Sequence, residues 1–270
     1  MHALLDADLL VYRIGFTTED VDLGIATWRM SNLIEKILAD TKATSYQLYL
    51  TASKDETAFR KKIYPEYKQN RKAPRPIHYE DLREFLLEHW NAELVHTIEA
   101  DDAIGIAASR DDCVIVSIDK DLLQIPGLHY NFVKEEFKTV TKLEGLRFFY
   151  QQCLTGDTAD NVKGIPGIGP KKAEKILALA DELYDDLDCG DLELNWFNVV
   201  RKEYDNDYEF YINGSALWIL KSPYPQGSWR LHPLGSKLVH EEDSLVGSLQ
   251  SAVSDTMEPA LSQTLSDGPV

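Results

Sequence analysis

Cysteine is scarce in the 270 residues: Cys113, Cys153 and Cys189 are odd in number and lack the spacing of paired ligands. That excludes a disulfide framework and a cysteine zinc site, and it suits a reducing, cytoplasmic compartment. No apolar run approaches the length of a membrane span, and the first carries Asp6 and Asp8, so neither a secretory leader nor a membrane partner is expected. Basic charge is the minority. Lys and Arg number 28 against 45 Asp and Glu, and the resulting −17 excludes a protein that coats polyanions by bulk attraction. What is present is ordinary core material, 44% hydrophobic and 10% aromatic, enough at this length for one large or two modest domains.

The stretch from His2 begins as a short buried strand that ends near Asp6. Met30, Leu33, Ile34, Ile37 and Leu38 recur at helical spacing, and Ser45–Leu50 reads as a second strand. A helix is predicted over Tyr79–Trp90, with Leu82, Phe85, Leu86 and His89 or Trp90 inward. A strand over Glu93–Thr97, a helix over Ala100–Ser109 and the β-branched run Cys113–Ile118 follow, the last typical of a strand covered on both faces. Alternating strand and helix predicts a parallel α/β sheet in the first half.

Such sheets place ligands at the carboxyl ends of their strands. Asp6 ends the first strand and Asp55 lies just beyond the second. Glu99, Asp101 and Asp102 follow the third, and Asp119 and Asp121 close the run at Ile118. Asp157 and Asp160 stand three apart, which would give them one face in a helical turn. Any single acid here reads equally as a cap; Asp101 and Asp102 open a helix, where acids are favoured anyway. The same accident at every strand end is hard to sustain. Oxygen donors without His or Cys select Mg²⁺ or Mn²⁺ over zinc, and two or more such ions are expected for phosphodiester chemistry.

Downstream of those acids, Gly164-Ile-Pro-Gly-Ile-Gly169 is a hairpin that suits neither helix nor strand. Pro170 fits a first helical turn, and Ala173, Ile176, Leu177 and Ala180 make a buried face behind it. Amides of Gly164, Gly167 and Gly169, with Lys163, Lys171 and Lys172, offer a phosphate clamp that reads no bases. The plain alternative is a Gly/Pro loop between two core helices. A second basic stretch runs from Arg60 to Arg75, with seven basic residues against Glu66 alone. It is either a solvated face or, because Phe59, Tyr64 and Tyr67 are interleaved, a single-strand groove. Within it Lys68 and Arg71 can offset charge on a phosphate.

Taken together, Leu4-Leu-Asp-Ala-Asp8, Phe59-Arg60, Tyr67-Lys-Gln-Asn-Arg71, Glu99-Ala-Asp-Asp102, Ile118-Asp-Lys-Asp-Leu122 and Gly156 through Lys172 occur in one order. In these motifs the chain resembles the structure-specific 5′ nucleases: flap endonucleases, bacteriophage 5′–3′ exonucleases and the 5′-nuclease part of bacterial DNA polymerase I. The resemblance implies a PIN-like, mostly parallel sheet over residues 1–150, with a helical arch at about 57–92. It also implies a helix–hairpin–helix unit over 151–234. It assigns metal binding to Asp6, Glu99, Asp101, Asp102, Asp119, Asp121, Asp157 and Asp160. Asp55 takes the second acid position through a shorter turn, since Ser53 stands where many relatives carry the acid. Catalytic contacts fall to Lys68, Arg71, Asp101 and Asp119, and nucleic-acid contacts to Arg60, Tyr67, Lys68, Arg71 and the hairpin, where a potassium ion is also implied.

The implied activity is Mg²⁺- or Mn²⁺-dependent 5′–3′ exonuclease and flap endonuclease cleavage of DNA at 5′ flaps, nicks or gaps. RNA–DNA hybrid is a further substrate, the chain is expected to be a monomer, and the small size points to phage-type replication, primer removal or DNA degradation in a bacterial cytoplasm. Two other readings stay open: a noncatalytic DNA-binding relative, and a PIN-type endoribonuclease. Beyond Ala180 an acidic loop is expected over Asp185–Asp191, with helices over Trp196–Tyr204 and Ser215–Leu220. From Gly235 the Ser-, Glu- and Asp-rich composition predicts a disordered acidic tail, 235–270.

Overall fold

The computed structural model describes residues 1–52, 58–109, 112–182 and 189–238. The chain opens with β1 (His2–Asp6), α1 (Ala7–Phe16), α2 (Leu23–Thr41) and β2 (Ser45–Thr51). Next come α3 (Phe59–Ile63), α4 (Tyr79–His89), β3 (Glu93–Val95), α5 (Ala100–Ala108) and β4 (Cys113–Val116). β5 (Gly127–Asn131), β6 (Glu136–Val140) and α6 (Lys142–Thr155) follow, then the short pair β7 (Gly156–Asp157) and β8 (Val162–Lys163). The helices α7 (Pro170–Glu182), α8 (Cys189–Glu203) and α9 (Asp207–Leu217) complete the order.

Six strands form one sheet in the order β3-β2-β1-β4-β5-β6, parallel through β5 with β6 antiparallel. Strand side chains alternate faces, so neighbours in β1 belong to different cores. Ala3 and Leu5 join Leu48, Leu50, Val114 and Val116 beneath α1, α2 and α4. Leu4 joins Tyr49, Ile115 and Ile104 beneath α5. The expected mostly parallel α/β sheet with helices on both faces is therefore present. A third core, built from Phe149, Tyr150, Leu177, Trp196, Phe197, Phe210 and Trp229, is shared by α6 to α9.

Helix ends follow local chemistry. Asp22 caps α2 through the Ile25 amide, and Thr141 and Glu144 form a capping box on α6. α1 escaped the sequence reading because its ten residues are apolar nearly all round and merge with the strand before them. Among its described residues, the connection expected as a helical arch is helical only in α3 and α4, with turns and irregular chain from 64 to 78. Pro65, Pro74 and Pro76 remove donors there.

Four expectations change. Asp157 and Asp160 do not share a helical turn, because β7 and β8 close a β-hairpin around residues 158–161. The helix expected over Ser215–Leu220 is α9, which stops at Leu217; Trp218, Ile219 and Leu220 are buried extended chain. The acidic loop falls partly outside the described residues (183–188), and Cys189 already begins α8. At Gly235–Leu238 a 3₁₀ turn stands where the tail was to begin, and Leu238 is buried in the third core.

Candidate active site

Because β1 to β4 are parallel, their carboxyl ends lie on one edge, and the acids that follow them gather there. α1 rises from that edge alongside an antiparallel α4: Arg83 meets Asp8 at 2.9 Å, the Tyr79 ring packs tilted against Tyr12 with centres 5.2 Å apart, and Pro76 closes on Gly15.

On one side of the edge stand Asp6, Asp119 and Asp121. Asp6 is 6% exposed; it caps α1 through the Leu9 amide at 3.3 Å and accepts from Ser117 Oγ at 3.3 Å. Burial, then Asp8 and Asp119, push its carboxyl up to about 7. Asp119 accepts the Asp121 amide at 2.9 Å. Burial, then Asp119 and Asp157, push Asp121 to about 7 as well. The nearby cation is Lys120, 2.7 Å from buried Asp157 and 3.9 Å from Asp121. Burial opposes the charge on Asp157, but the Lys120 ammonium and the Ala159 amide outweigh it and hold its carboxyl low.

The other side is filled with cations. Asp102, fully buried, takes Arg60 in a two-pronged pair at 2.5 and 2.7 Å and also accepts the amides of Glu99 and Leu220. Glu99 accepts from Arg60 at 3.1 Å and from Lys68. Burial works against its charge, yet Lys68 and Arg60 hold it at about 2. The Tyr67 hydroxyl lies 2.7 Å from Glu99 and 2.8 Å from Asp160, so one phenol proton bridges two carboxylates. Arg71 reaches Asp160 at 2.6 Å and keeps half its side chain in solvent. Asp101 has Asp102 and Glu99 for neighbours, and burial together with those charges raises its carboxyl far above the usual range. A narrow crevice lined by Asp101, Asp121, Asp160 and Gln152 joins the two sides.

Several sequence expectations change here. Arg60 does not reach outward to a strand, because it is 2% exposed and spends its donors inside the protein. Tyr67 and Phe59 are buried, so neither offers a stacking face; the hydroxyl of Tyr67 is what faces the acids. Asp102 has both oxygens occupied and stands as a structural acid in this conformation. Asp55 lies outside the described residues. Among the described residues, no three acids are gathered closely enough to hold an ion as they stand.

The sequence reading also passed over residues that shape the edge. Arg83, buried in α4, holds Asp8 and the Thr51 carbonyl; Lys120 holds Asp157; Gln152 donates to Asp121 at 2.7 Å. Lys120 had a signal, sitting between two acids of the Asp-Lys-Asp run. Arg83 and Gln152 had none, since each is one polar residue in an amphipathic helix.

Beyond the acids, β8 leads into the glycine hairpin. Gly164 packs against the Thr155–Gly156 backbone, where a Cβ would fall 2.1 Å from Thr155 carbon. Gly167 has φ +77°, which favours glycine. Lys163, Lys171 and Lys172 are exposed around it.

Residues 1–149 match the family model of the 5′–3′ exonuclease N-terminal resolvase-like domain. The chain belongs to the 5′–3′ exonuclease family. It is 30% identical over 193 residues to the flap endonuclease Xni of Shewanella baltica (strain OS185), spanning 64% of this chain and 72% of that one. It is 36% identical over 194 residues to DNA polymerase I of Rhizobium leguminosarum, spanning 63% of this chain but only 19% of the polymerase. Among solved structures, the T5 D15 protein co-crystallised with metal ions shares the fold, with a TM-score of 0.53 at 18% identity over 88% of this chain and 97% of that one. No helix of the described residues is long and apolar enough to cross a membrane.

Proposed function

We propose that this member of the family is a divalent-metal-dependent 5′–3′ exonuclease and flap endonuclease acting near 5′ ends at DNA duplex junctions. The observation that carries this reading is the uncompensated half of the acid edge. Asp6 and Asp121, each raised to about 7, repel Asp119 and one another's neighbours with one lysine nearby. Oxygen donors in that condition suit a hard divalent cation and would be poor company for a phosphate without one.

Asp6, Asp119 and Asp121 would hold the ion or ions, drawn together by that charge, with Asp101 and Asp160 lining the crevice beside Asp121, Asp157 paired with Lys120 and Glu99 with Lys68. Mg²⁺ or Mn²⁺ bound there would supply phosphate neutralisation and a more acidic water. The protein's own groups do the rest. Asp6 and Asp121 must give up their protons to bind metal, which couples loading to pH. Lys68 and Arg71 stand at the rim, where a phosphate would meet them. The hairpin amides with Lys163, Lys171 and Lys172 grip the duplex phosphates, with a potassium ion at the same hairpin, and fix register without reading sequence. In the net reaction, water oxygen bonds to phosphorus, the bond to a sugar oxygen breaks, and that oxygen leaves with a proton. RNA–DNA hybrids at primer ends, the monomeric state, a bacterial cytoplasm and a phage-type replication role belong to the same reading.

The test sets a 5′-flap duplex, a nicked duplex and single-stranded RNA side by side, with Mg²⁺ and with EDTA. Cleavage of the flap, abolished by EDTA and restored by Mg²⁺ or Mn²⁺, is expected. Full activity in excess chelator, or cleavage of the RNA alone, would refute the proposal.

A further inference from the structure

Arg60 stands at the root of the connection between β2 and α4, and its guanidinium has five N–H donors. Every one has an acceptor. Nε donates to the Ala216 carbonyl at 3.0 Å. Nη1 donates to Glu99 at 3.1 Å and Asp102 at 2.5 Å, and Nη2 to Asp102 at 2.7 Å and the Trp218 carbonyl at 2.7 Å. Those acceptors come from two different parts of the chain. Asp102 and Glu99 belong to the start of α5 at the acid edge. Ala216 and Trp218 end α9, where helix carbonyls have lost their own amide partners. Trp218 in turn packs on Phe149 and Trp229 in the third core.

We infer that Arg60 is a positioning residue: it locks the acid edge to the end of α9 and sets where the Glu99 carboxylate stands. The inference rests on the nuclease reading above. Charge neutralisation alone would not require this residue. A lysine could neutralise Asp102, but its three donors cannot satisfy five acceptors held in a planar fork. Geometry also separates its task from that of Lys68. Lys68 approaches Glu99 from the solvent side on a side chain 18% exposed, whereas Arg60 comes from beneath and is 2% exposed. Because Glu99 and Asp102 sit at the first turn of α5, a shift of either would carry Asp101, between them in sequence, with it.

The experiment compares Arg60→Lys, Arg60→Met and the charge-balanced double variant Arg60→Met/Asp102→Leu with the wild-type chain. Three readouts are taken: flap cleavage with Mg²⁺, equilibrium binding of the same flap in EDTA at fixed salt, and amide hydrogen exchange at residues 99–103 and 214–220. Arg60→Lys is expected to lower kcat at least a hundredfold while flap affinity stays within threefold, and to speed exchange in both segments. The single Met variant leaves Asp102 charged and without its guanidinium and is expected to fold poorly; the double variant removes that charge, so it should melt cooperatively yet remain impaired in cleavage. Restored cleavage in the double variant would mean that Arg60 serves only to neutralise Asp102, and would overturn the inference. So would Arg60→Lys with wild-type kcat, or with a loss confined to affinity. A wild-type chain that cleaves no flap at all would sink the nuclease reading, while coupled exchange in the two segments would still report the lock.

Discussion

The two sides of the acid edge solve the same electrostatic problem in opposite ways. Around Glu99, Asp102 and Asp160 the fold supplies Arg60, Lys68 and Arg71, and Glu99 is held at about 2 despite burial. Around Asp6, Asp119 and Asp121 it supplies Lys120, whose closer partner is Asp157, and two carboxyls rise to about 7. A protein can bury carboxylates if it brings their counter-charges along. Where it omits them, stability is given up at that spot, as sites that bind an external charge often do. Asp101 is the exception on the compensated side, raised far above the usual range by burial and by Asp102 and Glu99. In the proposed function the compensated side holds Glu99 and supplies the cations that meet a phosphate, and the uncompensated side takes the metal.

The largest test of this contrast removes the acid common to both raised groups. Asp119 raises Asp6 and Asp121 alike. Asp119→Asn keeps the shape, so flap cleavage with Mg²⁺ should fall by about three orders of magnitude, roughly 4 kcal/mol of barrier. Flap binding in EDTA should persist or tighten, because one repelling charge is gone. On the compensated side Lys68→Ala should lower turnover about a hundredfold, near 2.7 kcal/mol, with duplex affinity little changed. If Lys68→Ala proved as damaging as Asp119→Asn, the two sides would not differ in kind.

A smaller effect follows from linkage. The Asp6 carboxyl is raised to about 7 in the fold, while an unfolded aspartate titrates near its ordinary value of about 4. Between those values the folded chain binds more protons than the unfolded one, so stability falls as pH rises from about 4 to about 7 and then levels off. The Asp6 contribution is isolated by comparison: between pH 5 and pH 8 the metal-free wild-type chain should lose urea resistance relative to Asp6→Asn. Asp6→Asn keeps a side chain that can cap α1, removes the buried charge, and should raise stability at pH 8 by about 1–3 kcal/mol. Urea melts in EDTA at the two pH values decide it; an Asn variant less stable at pH 8 would show that Asp6 is compensated after all.

How much of this was legible in the sequence depended on whether the signal was local. The β-branched run of β4 and the period of α2 carried their own structure, and so did Pro170 at the start of α7. The acids could be placed on one edge because parallel strands fix where their carboxyl ends lie. What could not be read was which cation belongs to which acid. Arg60 looked like one more charge in a basic run, and its burial depends on Ala216 and Trp218, more than 150 residues away. Tyr67 and Phe59 likewise gave the composition of a stacking surface, but composition does not say which face of a short segment packs inward. Trp218 to Leu220 kept an apolar pattern that fits a helix as well as a buried extended stretch, and the contact with Asp102 decided between them.

The smallest expected effect probes the hairpin, where two glycines of similar appearance differ physically. Gly167 has φ +77°, so any side chain there is strained from within. Gly169 has no such restriction, and a Cβ built on it meets nothing within 4 Å. Gly169→Ala should therefore fold with an unchanged melting temperature, and any loss of function must come from outside the chain. If a duplex backbone comes close to the amides at the start of α7, the added methyl will stand in its way. Flap affinity should then drop by three- to tenfold, about 0.6–1.4 kcal/mol, with turnover at saturating DNA nearly unchanged. Gly167→Val should lose both melting temperature and affinity, so it cannot separate strain from contact. Gly169→Ala with wild-type affinity, measured at the same salt as the acid variants, would mean that the phosphate backbone does not approach this turn and that the exposed lysines alone hold the duplex.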